Sequence, residues 1–289
     1  DTMLGGVGND TYRFAEASAT QTDGVTELLD EGDDSLDFSL LPSNKAVTAK
    51  LNKTSSIATH TKRTVNSTNA FTIETVIGGA GDDSLTGSNP DSPSMTPGRN
   101  RLVGNGGKDT LNGLDGDDTL EGGLGNDVYV FAEPVQTTQQ TDTIFEAAGQ
   151  GNDTLDFSSA NKSVFVDLLS TSGMATHGTR TVNGRNSPGG TDIAELENVI
   201  GGKGDDRIFG NNLANMLEGR DGKDLLEDRG GKDTLDGGKG DDVLVITAVD
   251  GEEDSLIGGK GSDIAAGVKE FVIGGVKDKL SGIELDLRL

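Results

Sequence analysis

The sequence predicts an all-β fold, a parallel β-roll or β-solenoid built on Gly-Asp turns. Three observations lead there. Glycine supplies 44 of 289 residues, while Phe, Tyr and Trp number 9, 2 and 0, too few large apolar side chains for an ordinary compact core. The glycines follow no collagen-like triplet; they recur in a nine-residue unit, G-G-x-G-x-D and then x-U-x, with U large and apolar. The net charge of -25 comes from 49 acidic and 24 basic residues, and the acids stand at fixed offsets from Gly and Leu instead of in blocks.

Strict copies of the first six residues begin at Gly5, Gly78, Gly122, Gly201, Gly237 and Gly258. Looser copies start at Gly104, Gly113, Gly219 and Asp228, and GNNLANMLE from Gly210 carries Asn215 in place of the Asp. Units run without a gap from Gly201 to Val245; the run from Gly78 to Val130 is interrupted by SNPDSPSMTPGR at 88–99, whose Ser, Pro and Asn predict an exposed excursion. A longer repeat of roughly 120 residues contains the short one. GGVGNDTYRF leads to LDFS (36–39), RTVN (63–66) and ETVIGG (74–79), and GGLGNDVYVF leads to LDFS (155–158), RTVN (180–183) and ENVIGG (197–202). The organisation read from this is 1–77, the end of one unit with its β spacer; 78–130, a nonapeptide block; 131–200, a β spacer; 201–245, a second block; and 246–289, degenerate terminal coils. The opening Asp1-Thr2-Met3-Leu4 reads as the middle of a repeat, as expected of a fragment. Val164–Leu168 and Ile193–Glu197 read as strands that extend the solenoid.

Three Gly in six residues describe a tight turn, because Gly alone tolerates positive φ and close backbone approach at little cost. The next three residues, such as Thr119-Leu120-Glu121, alternate polar, apolar, polar: a very short strand with one inward side chain. Two turns and two strands make an eighteen-residue coil, with inward residues Leu85, Leu102, Leu111, Leu120 and Tyr129, then Ile208, Leu217, Leu226, Leu235 and Leu244. Stacked coils bring the sixth-position Asp of each into a row. Rows of carboxylates one strand spacing apart repel unless cations join them. Ca²⁺, which takes 6–8 oxygens in flexible geometry, suits such a row; Mg²⁺ with its strict octahedron does not, and the absence of Cys with only two His argues against Zn²⁺. The core is thin: burying one Leu yields about 1.5–3 kcal/mol, while ordering each backbone residue costs about 1–2 kcal/mol. Metal binding supplies the difference, so the expectation is a chain disordered without Ca²⁺ and folded with it.

These nonapeptides resemble those of the RTX, or haemolysin-type calcium-binding, repeat proteins. The resemblance covers the blocks well and the spacers loosely. It implies several Ca²⁺ ions held by Asp carboxylates and turn carbonyls between stacked turns. Carried over by position, Asp206, Asp224 and Asp242 line one edge of the second block, with Asn215 and Asp233 on the other. In the first block Asp83, Asp109 and Asp127 face Asn100 and Asp118. The degenerate spacer turns LDEGDDSLD and AGQGNDTLD add Asp34 and Asp153. Asp10 and Asp263 stand in strict turns that lack close neighbours, and after Gly258 the pattern decays, with GGVKDKL at 274–280. The resemblance also implies export, to the extracellular medium or a bacterial cell surface.

The charge argues against nucleic acid or an anionic membrane surface as partner, and no apolar run approaches the ~18 residues of a transmembrane helix. No enzymatic motif is present: neither His60 nor His177 stands in H-E-x-x-H, no Ser in G-x-S-x-G, and the turns match neither a phosphate loop nor an EF-hand. The two His occupy equivalent ATH sequences and read as a repeated structural position. Lys203, Lys239 and Lys260 read as outward charges that relieve the acidic potential. The function read from all this is a non-catalytic, calcium-stabilised structural segment of a large secreted or surface protein (adhesin, surface layer or filament stalk), with end-to-end self-association open to it. The alternative is the calcium-responsive region of a secreted enzyme or toxin. A third reading, an ice- or glycan-binding face, has only scattered Thr in its favour.

Overall fold

In a computed structural model the chain is described over residues 1–27, 32–53, 55–67, 69–89, 98–135, 137–188, 194–247, 252–267, 279–281 and 284–285. Among the described residues, two parallel-rich sheets of 14 strands each stack face to face. Within the blocks the chain alternates between them. Thr110–Asn112 lies in the first sheet, Thr119–Leu124 in the second and Val128–Val130 in the first again. Parallel pairing sets Arg101 opposite Thr119, Arg207 opposite Leu225, and Leu225 opposite Val243, the eighteen-residue step of one coil. A register slip of one residue would turn every inward Leu to solvent, so the single apolar residue per strand is enough to hold the pairing.

Leu85, Leu102, Leu111, Leu120, Tyr129, Ile208, Leu217, Leu226, Leu235 and Leu244 are all fully buried, forming a one-residue-wide ladder down the interior. The spacers thicken it with aromatic rings: Phe14 stacks on Phe38 at 4.9 Å between ring centres, and Phe131 on Phe157 at 5.1 Å.

Each spacer joins both sheets. In the second unit Gln140–Phe145 pairs in parallel with Arg180–Arg185, which pairs antiparallel with Ala175–His177, and that with Val164–Asp167; Val164–Asp167 then receives Arg207–Phe209 in parallel. The first unit repeats this order with Gln21–Thr26, Arg63–Ser67, Ala58–His60, Val47–Lys50 and Ser84–Thr86. The first meander lies in one sheet and the second in the other, so consecutive units are related by a half-turn about the roll axis. Each meander sets one antiparallel strand, Ala58–His60 or Ala175–His177, between two strands that run with the sheet. Among the described residues the one helical turn is 3-10, Ala70–Thr72.

Two expectations are corrected. The strand read at 193–197 is instead Asn198–Ile200. Residue 193 lies outside the described residues, and 194–197 run outside the strand because Glu195 N donates to Glu146 O and the Glu197 carboxylate is drawn to Asp153 N. Asp10 and Asp263 do have close neighbours: Asp10 N donates to Asp34 Oδ1 at 2.9 Å, and Asp242 N to Asp263 Oδ1 at 3.0 Å. The spacer coil and the coil after Gly258 stack on them despite their degenerate turns. Residues 90–97 of the expected excursion and 268–278 of the terminal coils lie outside the described residues.

Both His are buried. His60 meets Phe38 edge-on at 5.9 Å and His177 meets Phe157 at 6.3 Å, while His177 Nε2 contacts Glu133 Oε2 at 3.0 Å. Lys239 is exposed and pairs with Asp221 at 2.7 Å, a surface ion pair of small energetic weight.

Candidate metal centres

The nonapeptide Asp stands two residues before the inward residue of its strand, where the turn delivers it to the edge of the roll. Its carboxylate accepts a backbone N–H from the preceding coil. Asp83 N donates to Asp109 Oδ1, Asp109 N to Asp127 Oδ1 and Asp127 N to Asp153 Oδ1, each at 2.7 Å. Asp153 N then donates to Glu197 Oε2 at 2.7 Å, and Asn215 N to Asp233 Oδ1 at 2.7 Å. On the opposite edge Asp10, Asp34, Glu74, Asn100, Asp118 and Asp142 form a second column. Asp206, Asp224, Asp242 and Asp263 form a third, with spacings of 2.8–3.0 Å. The edges expected of both blocks are thus the edges found, and the columns run on into the spacers.

One oxygen of each carboxylate holds the column together. The other, in the inner rungs, is left over: Oδ2 of Asp109, Asp118, Asp127, Asp224, Asp242 and Asp263 is buried with no hydrogen-bond partner. A buried carboxylate oxygen without a donor is costly, and a cation is the remaining partner. The first glycine of each unit shows where that cation fits. A Cβ built on Gly237 falls 2.5 Å from Asp242 Oδ2 and 2.8 Å from the carbonyl oxygen of Gly258 in the next coil. Gly219 faces Asp224 Oδ2 and Gly237 O in the same way, and Gly104 faces Asp109 Oδ2 and Gly122 O. The missing side chain leaves a cradle between a carboxylate and a main-chain carbonyl, the hard oxygen set that suits Ca²⁺.

Three rungs are built differently. Where an acid replaces the first glycine, its carboxylate enters the cradle, giving Asp10–Glu27–Asp34, Asp127–Glu146–Asp153 and Asp228–Asp233–Asp254, each with oxygens within 4.8 Å of one another. Both tyrosines of the chain serve the first two: Tyr12 Oη donates to Glu27 and Tyr129 Oη to Glu146. Three carboxylates at that separation repel by roughly 3–4 kcal/mol per pair at an effective dielectric of about 20, so the triads need protons or a metal. Asn rungs need neither. Asn215 Nδ2 donates to Glu197 O and to Asn211 Oδ1, both at 3.0 Å, supplying from its own amide the positive end that the Asp rungs lack.

Burial raises the carboxyl pKa values along the columns, and neighbouring carboxylates add to it. Asp109 is pushed up to about 8, Asp153 and Asp224 to about 7, Asp83 and Asp206 to about 6, and Glu146 to about 9. Asp118, Asp127 and Asp242 move in the same direction.

Sequence reading missed Glu27, Glu74, Asp142, Glu146, Glu197, Asp228 and Asp254. A signal existed for most. Glu74-Thr75-Val76, Asp142-Thr143-Ile144, Glu197-Asn198-Val199 and Asp254-Ser255-Leu256 set an acid two residues before an inward apolar residue, the offset of Asp224-Leu225-Leu226. No local signal marks Glu27 or Glu146 as occupying a glycine position, because only pairing with the preceding coil aligns them with Gly5 and Gly122.

Compared with known families, residues 1–183 match a model described as the Peptidase M10 serralysin C terminal. Residues 197–212 and 209–244 match the RTX calcium-binding nonapeptide repeat. No curated protein matches the chain.

Proposed function

The chain belongs to the family of Peptidase M10 serralysin C-terminal regions and carries RTX repeats that bind calcium, and from that premise we propose that it is a non-catalytic β-roll whose folding is driven by Ca²⁺ once its polypeptide has been exported. The observation that carries the reading is the set of buried, partnerless Asp oxygens, those of Asp109, Asp224 and Asp242 facing a glycine carbonyl across a cradle that only a missing side chain leaves open. In this reading Asp109, Asp118, Asp224, Asp242 and Asp263 hold ions with carbonyls of the adjoining turns, and the three acid triads, Asp127 among them, hold ions with carboxylates. Millimolar extracellular calcium satisfies these groups, whereas in a cytosol poor in calcium the net charge of -25 opposes compaction.

The role within the larger polypeptide is a spacer or stalk, supported by the tandem unit: the half-turn relation between units lets further copies continue the same two sheets. A second reading, the calcium-responsive region of a secreted metalloprotease, is favoured by the family match over residues 1–183. The coding sequence on either side separates them: more tandem units support the stalk, and an H-E-x-x-H domain supports the protease. Far-ultraviolet circular dichroism of chelator-treated protein during Ca²⁺ titration, with Mg²⁺ as control, tests the folding claim. A coil-to-β transition with Ca²⁺ alone is expected. A β spectrum already complete in chelator overturns it.

A further inference from the structure

The carboxylate columns do not run unbroken along the roll. The second column ends at Asp142 in Gln140–Phe145, and Asp23 holds the equivalent place in Gln21–Thr26. Beyond each, the next strand offers no acid: Asp23 pairs with Val65 and Asp142 with Val182. The last carboxylate therefore has no following coil with which to share an ion. In both places the strand that follows carries the Arg of RTVN, turned into the column.

Arg180 is 2% exposed. Its Nε lies 3.3 Å from Asp142 Oδ2, and its terminal nitrogen lies 3.7 Å from Asp115 Oδ1 and 3.2 Å from Gln140 Oε1. The same nitrogen donates to the carbonyl of Leu114, a residue at φ 70 in the turn of the GLDGDD copy. Two carboxylates, a side-chain amide oxygen and a turn carbonyl form the kind of oxygen shell that a hard cation takes elsewhere on the edge. Arg63 makes the corresponding ion pair with Asp23. Each guanidinium also lies over an aromatic ring, Arg63 at 5.5 Å from Phe14 and Arg180 at 5.7 Å from Phe131.

We propose that Arg63 and Arg180 are resident cations that replace a metal ion at the end of a carboxylate column, so that the strand pairs they join, Gln21–Thr26 with Arg63–Ser67 and Gln140–Phe145 with Arg180–Arg185, form without calcium while the nonapeptide blocks wait for it. A guanidinium is always charged, cannot be chelated away and is tethered to the strand it stabilises. The roll then consists of calcium-dependent blocks seeded by calcium-independent strand pairs in the spacers, and a block acquiring calcium grows from strands already paired. This rests on the reading that calcium folds the blocks.

Hydrogen exchange of the full chain, followed by mass spectrometry in chelator and in millimolar Ca²⁺, tests it. In chelator, Gln140–Phe145 and Arg180–Arg185 are expected to exchange at least tenfold more slowly than Thr234–Lys239; in Ca²⁺ all three are slow. Arg180→Ala is expected to lose the spacer protection in chelator and regain it in Ca²⁺, with one more ion bound by calorimetry, whereas Arg180→Lys retains part of it without calcium. Wild-type spacer strands that exchange as fast as the block strands in chelator overturn the proposal. So does an Arg180→Ala protein whose spacer stays unprotected in Ca²⁺, since the arginine is then a packing residue only. Block strands fully protected in chelator would instead sink the calcium-folding reading of the whole roll.

Discussion

At the scale of single residues, the decisive contrast is between Asp and Asn at one position in the coil. Asp224 uses one oxygen to accept Asp206 N and leaves Oδ2 buried and unsatisfied, whereas Asn215 fills its second position with its own Nδ2 donor. Asp224→Asn removes a negative ligand and adds an internal donor. It is expected to raise the calcium midpoint on the order of tenfold, about 1.4 kcal/mol, in a dichroism titration. The reverse change, Asn215→Asp, creates one more rung without a donor. It should lower stability in chelator and bind one extra ion in excess calcium, which calorimetric stoichiometry reads directly. Position relative to the inward residue made the nonapeptide Asp legible as candidates. Glu74 and Glu197 carried the same offset but stood outside the glycine pattern, so a search keyed to glycine passed over them.

At the scale of the turn, the first glycine is a cradle and not only a flexible joint. A Cβ on Gly219 would meet Asp224 Oδ2 and lie 2.7 Å from Gly237 O, while a Cβ on Gly6 would meet nothing within 4 Å. Neither position requires positive φ, so the two substitutions differ in space alone. Gly219→Ala is expected to abolish one ion and shift the calcium midpoint upward by several-fold; Gly6→Ala should leave both unchanged. Equal effects of the two would mean that the glycines serve backbone freedom and that the cradle has no part in binding. The three-residue strands between turns are too short to persist alone. Each is held by two neighbours and one buried side chain, which is why the elements followed from period while the spacer meanders did not. Val164–Asp167 and Ala175–His177 pair antiparallel through contacts that no nine-residue spacing encodes.

For the molecule as a whole, charge and burial act together. Carboxyls raised to about 6–8 in the roll but ordinary in the unfolded chain bind more protons when folded. The sign follows: their contribution to the metal-free roll is complete below the unfolded carboxyl pKa of about 4 and is lost as pH rises through the folded values. In chelator, β content should therefore increase as pH falls from about 8 to about 5, and the calcium requirement should be steepest at the alkaline end. A metal-free chain whose β content falls on acidification over that range would contradict it.

The nine-residue period, the acids at fixed offset and the small apolar content were determined by sequence alone, because a solenoid repeats one local solution and each coil meets only its neighbours. What only the tertiary structure decided was the path between blocks: which sheet receives each meander, which acid takes a glycine's place, and where a column ends on arginine. Those depend on register between segments some tens of residues apart. The half-turn between units, for its part, follows from how many strands the spacer returns to each sheet, a sum that no local pattern contains.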